Sequence, residues 1–125
     1  MFPRLRCGGN ISFLVDTGAD RTIIMPDDGS RFNIDYSQLQ GDVPSTGIGG
    51  ISNNFEEHGI IVFSEPQKRI YVYSLTILLA SAGPEHRRLP SLLGRDILSQ
   101  WRMVMDESKS KLIFTVRSAD VSIKV

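Results

Sequence analysis

Residues 11–20 of the chain read ISFLVDTGAD, an apolar run that delivers the carboxylate of Asp16 directly into a Thr-Gly turn. Apolar residues at positions 11, 13 and 15 recur with the period of a β-strand. A carboxylate at the end of such a strand is costly unless it is solvated, hydrogen-bonded or paired. Gly18 allows a sharp bend that brings its amide close to the carboxylate, and the hydroxyl of Thr17 can bond a neighbouring group. The stretch therefore predicts a carboxylate held rigidly at a surface opening.

The remainder of the chain is predicted to form short β-strands, because β-branched and apolar runs alternate with Gly, Pro, Asn and Asp. Strands are predicted at residues 22–25, 59–64, 70–80, 92–94, 103–105, 112–116 and 121–125. Turns are predicted at residues 26–30, 65–68 and 106–110, and one short helix within residues 95–100. Residues 33–39 fit either a strand or a short helical turn. The pattern predicts a mainly β fold, a closed or partly closed barrel with one short helix toward the C-terminus.

The size and charge of the chain narrow the classes of function. A length of 125 residues predicts one domain, residues 1–125. Basic and acidic residues number 14 each, which argues against a nucleic acid or an anionic membrane as the partner. The single cysteine, Cys7, cannot close a disulfide within the chain. We see no signal peptide and no apolar run long enough to span a membrane, so a cytoplasmic location is expected.

Three motifs resemble signatures of the retropepsin-like aspartic proteases, the single-lobed proteases of retroviral type. Residues 13–20, FLVDTGAD, resemble the active-site motif of this family, and residues 92–98, LLGRDIL, resemble its second signature. Between them, residues 46–51, TGIGGI, occupy the place of the glycine-rich flap. The continuation beyond the helix is more typical of cellular relatives than of viral enzymes. The resemblance implies the acid-protease barrel fold and an aspartic endopeptidase activity.

In this family each chain contributes half of the active site. The sequence carries one Asp-Thr-Gly motif, so the resemblance implies a homodimer in which a two-fold axis places two copies of Asp16 side by side. One carboxylate would activate a water molecule as general base, and the protonated one would polarise the scissile carbonyl of a peptide or protein substrate. This chemistry needs no metal and no cofactor. His58 and His86 also lack the spacing of metal ligands.

The resemblance also gives roles to residues around Asp16. Thr17 would bond across the dimer axis, and Gly18 and Ala19 would complete the supporting turn. Asp20 and Arg95 would form a buried ion pair near the dimer interface, structural rather than catalytic.

The roles predicted for other positions of the motifs are less definite. The flap tip would comprise Ile48, Gly49, Gly50 and Ile51, close over the substrate and exclude water. Asp96 is expected to cap the helix that follows. Arg21 either reaches the substrate or faces water, and the sequence does not separate these alternatives.

Two other classes of function compete with a protease. The first is a retropepsin-like fold that serves as a dimerisation or peptide-binding module without significant proteolysis; an intact Asp16 and Gly18 favour activity. The second is a phosphate site like those of actin-like ATPases, which need far longer chains. A phosphate-cradling loop at residues 47–52 is disfavoured because the segment lacks the GxGxxG pattern and no GK[ST] follows.

Overall fold

A computed structural model describes residues 1–47, 50–81 and 89–125 of the chain, and for residues 40–47 and 50–53 the backbone alone. The prediction of a mainly β fold is confirmed. The strands are β1 (Phe13–Val15), β2 (Ile23–Ile24), β3 (Gln40–Gly47), β4 (Gly50–Glu65), β5 (Arg69–Ala80), β6 (Ser91–Leu93), β7 (Trp101–Asp106), β8 (Lys111–Val116) and β9 (Val121–Lys124). The helices are α1 (Pro26–Arg31) and α2 (Arg95–Leu98), with 3₁₀ turns at Tyr36–Gln38 and Glu107–Lys109.

Seven strands form one sheet in the order β1-β6-β2-β5-β4-β3, and β9 joins it by pairing with β5. The β1–β6 and β2–β5 pairs are parallel, whereas the other pairs are antiparallel. Strands β7 and β8 form a separate two-stranded antiparallel sheet. Within the described residues the sheets do not close into a complete barrel, so the partly closed form of the prediction is the one observed.

A second helix, α1, replaces the turn that was predicted at residues 26–30. Pro26 occupies the start of the helix, where its fixed φ and missing amide are tolerated. Two acidic residues lie in the first turn and Arg31 in the last, as the helix dipole favours. Turn-forming residues thus also suit a six-residue helix. Helix α2 lies where the single helix was predicted, and the undecided segment 33–39 contains the 3₁₀ turn.

Two clusters of apolar side chains form the core. The first lies between the N-terminal segment, α1 and the long strands, and its buried members are Phe2, Ile24, Phe32, Ile34, Leu39, Ile61, Ile77 and Leu79. In the second cluster Tyr73, Leu93 and Ile97 are buried, and the ring of Trp101 packs on that of Phe63 with centroids 4.8 Å apart. The second cluster joins α2 to β6, which positions the motif of residues 92–98. No helix among the described residues is both long and apolar enough to cross a membrane.

Candidate active site

The carboxylate of Asp16 is held by the turn that follows β1. The Asp16 amide donates to the carbonyl of Leu93 on β6 at 3.0 Å, and the Ala19 amide closes the turn on the Asp16 carbonyl at 3.2 Å. The Gly18 amide donates to Asp16 Oδ1 at 2.9 Å. A Cβ at Gly18 would lie 3.2 Å from the same oxygen, which is a tight contact. The half-buried Asp16 is therefore fixed in direction by its own turn, as predicted from the spacing.

The two signature segments lie side by side although about 75 residues separate them. Strands β1 and β6 pair in parallel, with Val15 opposite Leu93. Beyond the strands, the Arg95 amide donates to the Ala19 carbonyl at 2.8 Å, and the Asp96 amide donates to the Asp20 carbonyl at 3.1 Å. The beginning of α2 thus supports the backbone of the turn that carries Asp16.

A buried polar network centred on Thr22 was not predicted. Thr22 is fully buried; its hydroxyl donates to Asp96 Oδ1 at 2.7 Å and accepts from the Gly94 amide at 3.1 Å. The Thr22 amide donates to Asp96 Oδ2 at 2.8 Å. The expected capping role of Asp96 is wrong, because Gly94 is the N-cap of α2 and no side chain of the described residues caps the helix. Asp96 lies in the first turn of α2, and its Oδ1 also accepts from the amide of Ile97 at 2.9 Å. No local pattern in the sequence signals this network, because Thr22 and Asp96 are 74 residues apart in the chain.

Gly94 packs directly on the backbone of Arg21. A Cβ at Gly94 would lie 2.4 Å from the carbonyl carbon of Arg21, so the backbone would have to move to accept a side chain. The φ angle of Gly94 is −97°, which any residue can adopt. The glycine is therefore required by close approach and not by backbone conformation.

The ion pair of Asp20 and Arg95 forms as predicted, through Arg95 Nη2 and Asp20 Oδ1. In the single chain the side chains are 78% and 58% exposed, and their burial near a dimer interface stays a prediction because it involves a second copy. Both residues lie at the outer surface of the turns, where no other part of the described chain covers them. An exposed pair of this kind contributes little to stability.

Thr17 is exposed, and its hydroxyl has no hydrogen-bond partner within the described part of the chain. Its expected contact across a dimer axis involves a second copy and stays a prediction. In the single chain Arg21 is half-buried in an ion pair that was not predicted and does not simply face water, and its contact with a substrate stays a prediction. Its Nη1 donates to Glu56 Oε1 on β4 at 2.6 Å.

The expected flap coincides with the hairpin of β3 and β4. The backbones pair as far as Gly47 and Gly50, with Thr46 opposite Ile51. Ile48 and Gly49, the remaining predicted flap residues, lie outside the described residues. The backbone geometry of a two-stranded hairpin is therefore present, and its role as a flap stays a prediction.

One cavity of about 750 Å³ opens beneath the N-terminal segment and is lined mainly by apolar side chains, among them Phe2, Ile24 and Phe63. Asp16 does not line it. The half-buried carboxylate and this cavity are thus separate features of the single chain. No group of three or more His, Cys, Asp or Glu side chains is arranged to hold a metal ion in the described ranges.

Comparison with known families agrees with the motifs. The retroviral aspartyl protease family matches residues 4–106 of the 125. This range contains the Asp16 turn, the β3–β4 hairpin and α2. No protein of curated function matches the chain. The chain belongs to the retroviral aspartyl protease family.

Proposed function

We propose that this chain is an aspartic endopeptidase that acts as a homodimer, with one Asp16 from each copy and residues 1–125 as one domain. The observation that carries the proposal is the half-buried Asp16 carboxylate, fixed by the Gly18 amide at 2.9 Å, in a member of a protease family. Only one such turn is present in the sequence. A second carboxylate must therefore come from a second copy of the chain.

The proposed reaction is the addition of water to a peptide carbonyl between the two Asp16 side chains. Two carboxylates that face each other at close range share one proton, as is general for aspartic proteases. The ionised carboxylate takes a proton from the water, whose oxygen bonds to the carbonyl carbon. The protonated carboxyl hydrogen-bonds the carbonyl oxygen as negative charge develops there. Collapse of the tetrahedral intermediate breaks the C–N bond, and the leaving nitrogen takes up a proton from the dyad.

The β7–β8 hairpin supports dimerisation. A two-stranded sheet is at best marginally stable alone, and this one exposes apolar side chains to solvent on both of its faces. They are Met103 (38% exposed), Val104 (42%), Met105 (62%), Leu112 (41%) and Ile113 (53%). Neither strand has a further neighbour among the described residues, so its outer backbone groups are open to pairing. A second copy is the occupant that the proposed half-site also requires.

The β3–β4 hairpin is proposed as the flap over the bound peptide. Its strands leave the main sheet as an antiparallel pair from Gln40 and Glu56 to Gly47 and Gly50. An extended peptide can pair with such backbone groups, and the hydrophobic residues of a substrate would suit the apolar Ile51. The proposed substrate class is thus a peptide or protein in an extended conformation.

Replacement of Asp16 by Asn tests the proposal. Wild-type protein incubated with a diverse peptide mixture across pH should cut internal bonds, and a statine-type inhibitor should prevent this. Asp16→Asn should lose the cleavage and remain a folded dimer. Asp27→Asn is the matched control, because Asp27 is exposed on α1 and should cut like the wild type.

The outcomes separate the two candidate functions. Cleavage that persists in clean Asp16→Asn protein rules out the mechanism. A wild-type dimer that binds peptides and cuts none would favour the alternative, a dimerisation or peptide-binding module without significant proteolysis.

A further inference from the structure

The base of the β3–β4 hairpin lies at a defined point of β4. Strand β4 pairs with β5 from Asn54 to Glu65 and with β3 from Gly50 to Glu56. Only residues 54–56 of β4 are therefore flanked by strands on both sides. From Asn54 toward Gly50, β4 continues with β3 alone. Glu56 is the last residue of β4, in chain order, to pair with β3, opposite Gln40, and so lies at the base of the hairpin, within the part of β4 that still pairs with β5.

Arg21 reaches Glu56 from a backbone that is held on both sides. Gly94 packs against the Arg21 carbonyl, where no Cβ would fit. The next residue, Thr22, is fully buried, and its amide and hydroxyl both donate to the carboxylate of Asp96. Arg21 therefore extends from a fixed position five residues after Asp16, and its Nη1 meets Glu56 Oε1 at 2.6 Å.

The neighbouring carboxylate is held in the same way on the other face of β4, because successive side chains of a strand point to opposite faces. Glu57 is 7% exposed and accepts from Arg4 Nε at 3.0 Å. The same guanidinium donates from Nη2 to the carbonyl of Gln38, two residues before β3 begins, at 2.8 Å. Arg21 and Arg4 thus form ion pairs near the base of the hairpin on opposite faces of β4.

We propose that Arg21 is a positioning residue, whose ion pair with Glu56 fixes the direction of the β3–β4 hairpin relative to the Asp16 turn. Among the ion pairs of the described residues, that of Arg21 with Glu56 is the one that connects this turn region to the base of the hairpin. The side chains are 33% and 40% exposed, so the pair is partly shielded from solvent. Its effect on peptide hydrolysis rests on the proposed function, whereas its effect on the hairpin does not.

Hydrogen exchange of backbone amides tests the positioning role directly. In Arg21→Met and Glu56→Gln, the amides of residues 40–47 and 50–54 should exchange about two- to fivefold faster, the range that exposed ion pairs support. Amide exchange should stay at the wild-type rate in α2 and in the residues of β5 that do not pair with residues 54–56 of β4. The double variant Arg21→Glu/Glu56→Arg should restore slow exchange by reversing the charges of the pair.

Matched controls come from the opposite end of the same strand. Glu65 and Lys68 form a more distant pair at 3.7 Å in the turn between β4 and β5. Glu65→Gln and Lys68→Met carry the same kinds of change and should leave exchange in residues 40–54 at the wild-type rate. If Arg21→Met and Glu56→Gln behave like these controls, the proposed positioning role is wrong.

The same variants separate this inference from the proposed function. If the wild type cuts peptides, kcat/KM should fall about two- to fivefold in Glu56→Gln and recover in the charge-reversed double variant. A loss that the double variant does not recover would mean a merely structural effect and would overturn the inference. If the wild type cuts no peptide, the proposed function fails, and the exchange rates alone decide the positioning role.

Discussion

Replacing Thr22 by Val should destabilise the fold strongly, because Val keeps the shape of Thr and removes its hydroxyl. The hydroxyl is fully buried, donates to Asp96 Oδ1 at 2.7 Å and accepts from the Gly94 amide at 3.1 Å. In Thr22→Val the Gly94 amide is left without this acceptor inside the protein. The network that joins the two signature segments would lose its central member.

The two lost bonds set the size of the effect. A hydrogen bond to a charged group is worth about 1.5–3 kcal/mol, and a buried donor without a partner costs about 1–3 kcal/mol. Asp96 retains the amides of Thr22 and Ile97 as donors, at 2.8 and 2.9 Å. We therefore expect a loss of about 2.5–4 kcal/mol in the free energy of unfolding, in the lower part of the combined range.

Urea unfolding followed by Trp101 fluorescence measures this loss, since Trp101 is the only tryptophan and packs against the second core cluster. All variants should be compared at one protein concentration, because the stability of a dimer depends on it. Thr76→Val is the matched control, an exposed threonine on β5, and should change stability by no more than about 0.5 kcal/mol. Thr22→Ser keeps the hydroxyl and should retain most of the stability. Equal stability of Thr22→Val and Thr76→Val would refute the reasoning.

Two further predictions concern buried groups elsewhere. Tyr73→Phe should cost about 1–3 kcal/mol, because its hydroxyl accepts from Trp101 Nε1 at 2.8 Å and donates to the Ser118 carbonyl at 2.7 Å; an unchanged urea midpoint would contradict this. Burial raises the pKa of the Cys7 thiol above its ordinary value of 9.0, so the folded state favours the protonated thiol. The stability that Cys7 contributes is therefore complete below pH 9.0 and is lost as pH rises through the pKa of the thiol in the folded protein. Cys7→Ser should lack this alkaline decline in a pH series of unfolding curves, and an identical decline in both proteins would count against it.

The sequence predicted the parts of the site that depend on local pattern. Alternation placed Phe13 and Val15 inward and left Leu14 55% exposed. Spacing of Asp16 and Gly18 predicted the turn in which the glycine amide meets the carboxylate. Helix α2 lies in the segment of residues 95–100, which has room for one or two helical turns after Gly94. Each of these features involves residues close together in the chain, whose chemistry alone restricts the backbone.

Other features depend on strand register and could not be predicted. The contact of Thr22 with Asp96 joins residues 74 positions apart, and that of Arg21 with Glu56 joins residues 35 apart. Pairing of β1 with β6 and of β4 with β5 brings these partners together, and no local pattern fixes that pairing. The predicted burial of Asp20 is likewise beyond what one chain can decide, because it depends on what covers the residue in the assembly.

Mixed dimers test the central claim, that the active site is shared between two copies, most directly. Wild-type protein and Asp16→Asn are combined in equal amounts, unfolded together in urea and refolded, so that the chains pair at random. Peptide hydrolysis per wild-type chain should then fall to about half, because half of the wild-type chains pair with an inactive copy. Mixing with Asp27→Asn in the same way should leave the rate per chain, counted over both proteins, at the wild-type value, because the control variant is itself active. An unchanged rate per wild-type chain in the Asp16→Asn mixture would show that each chain works alone and would contradict the shared site.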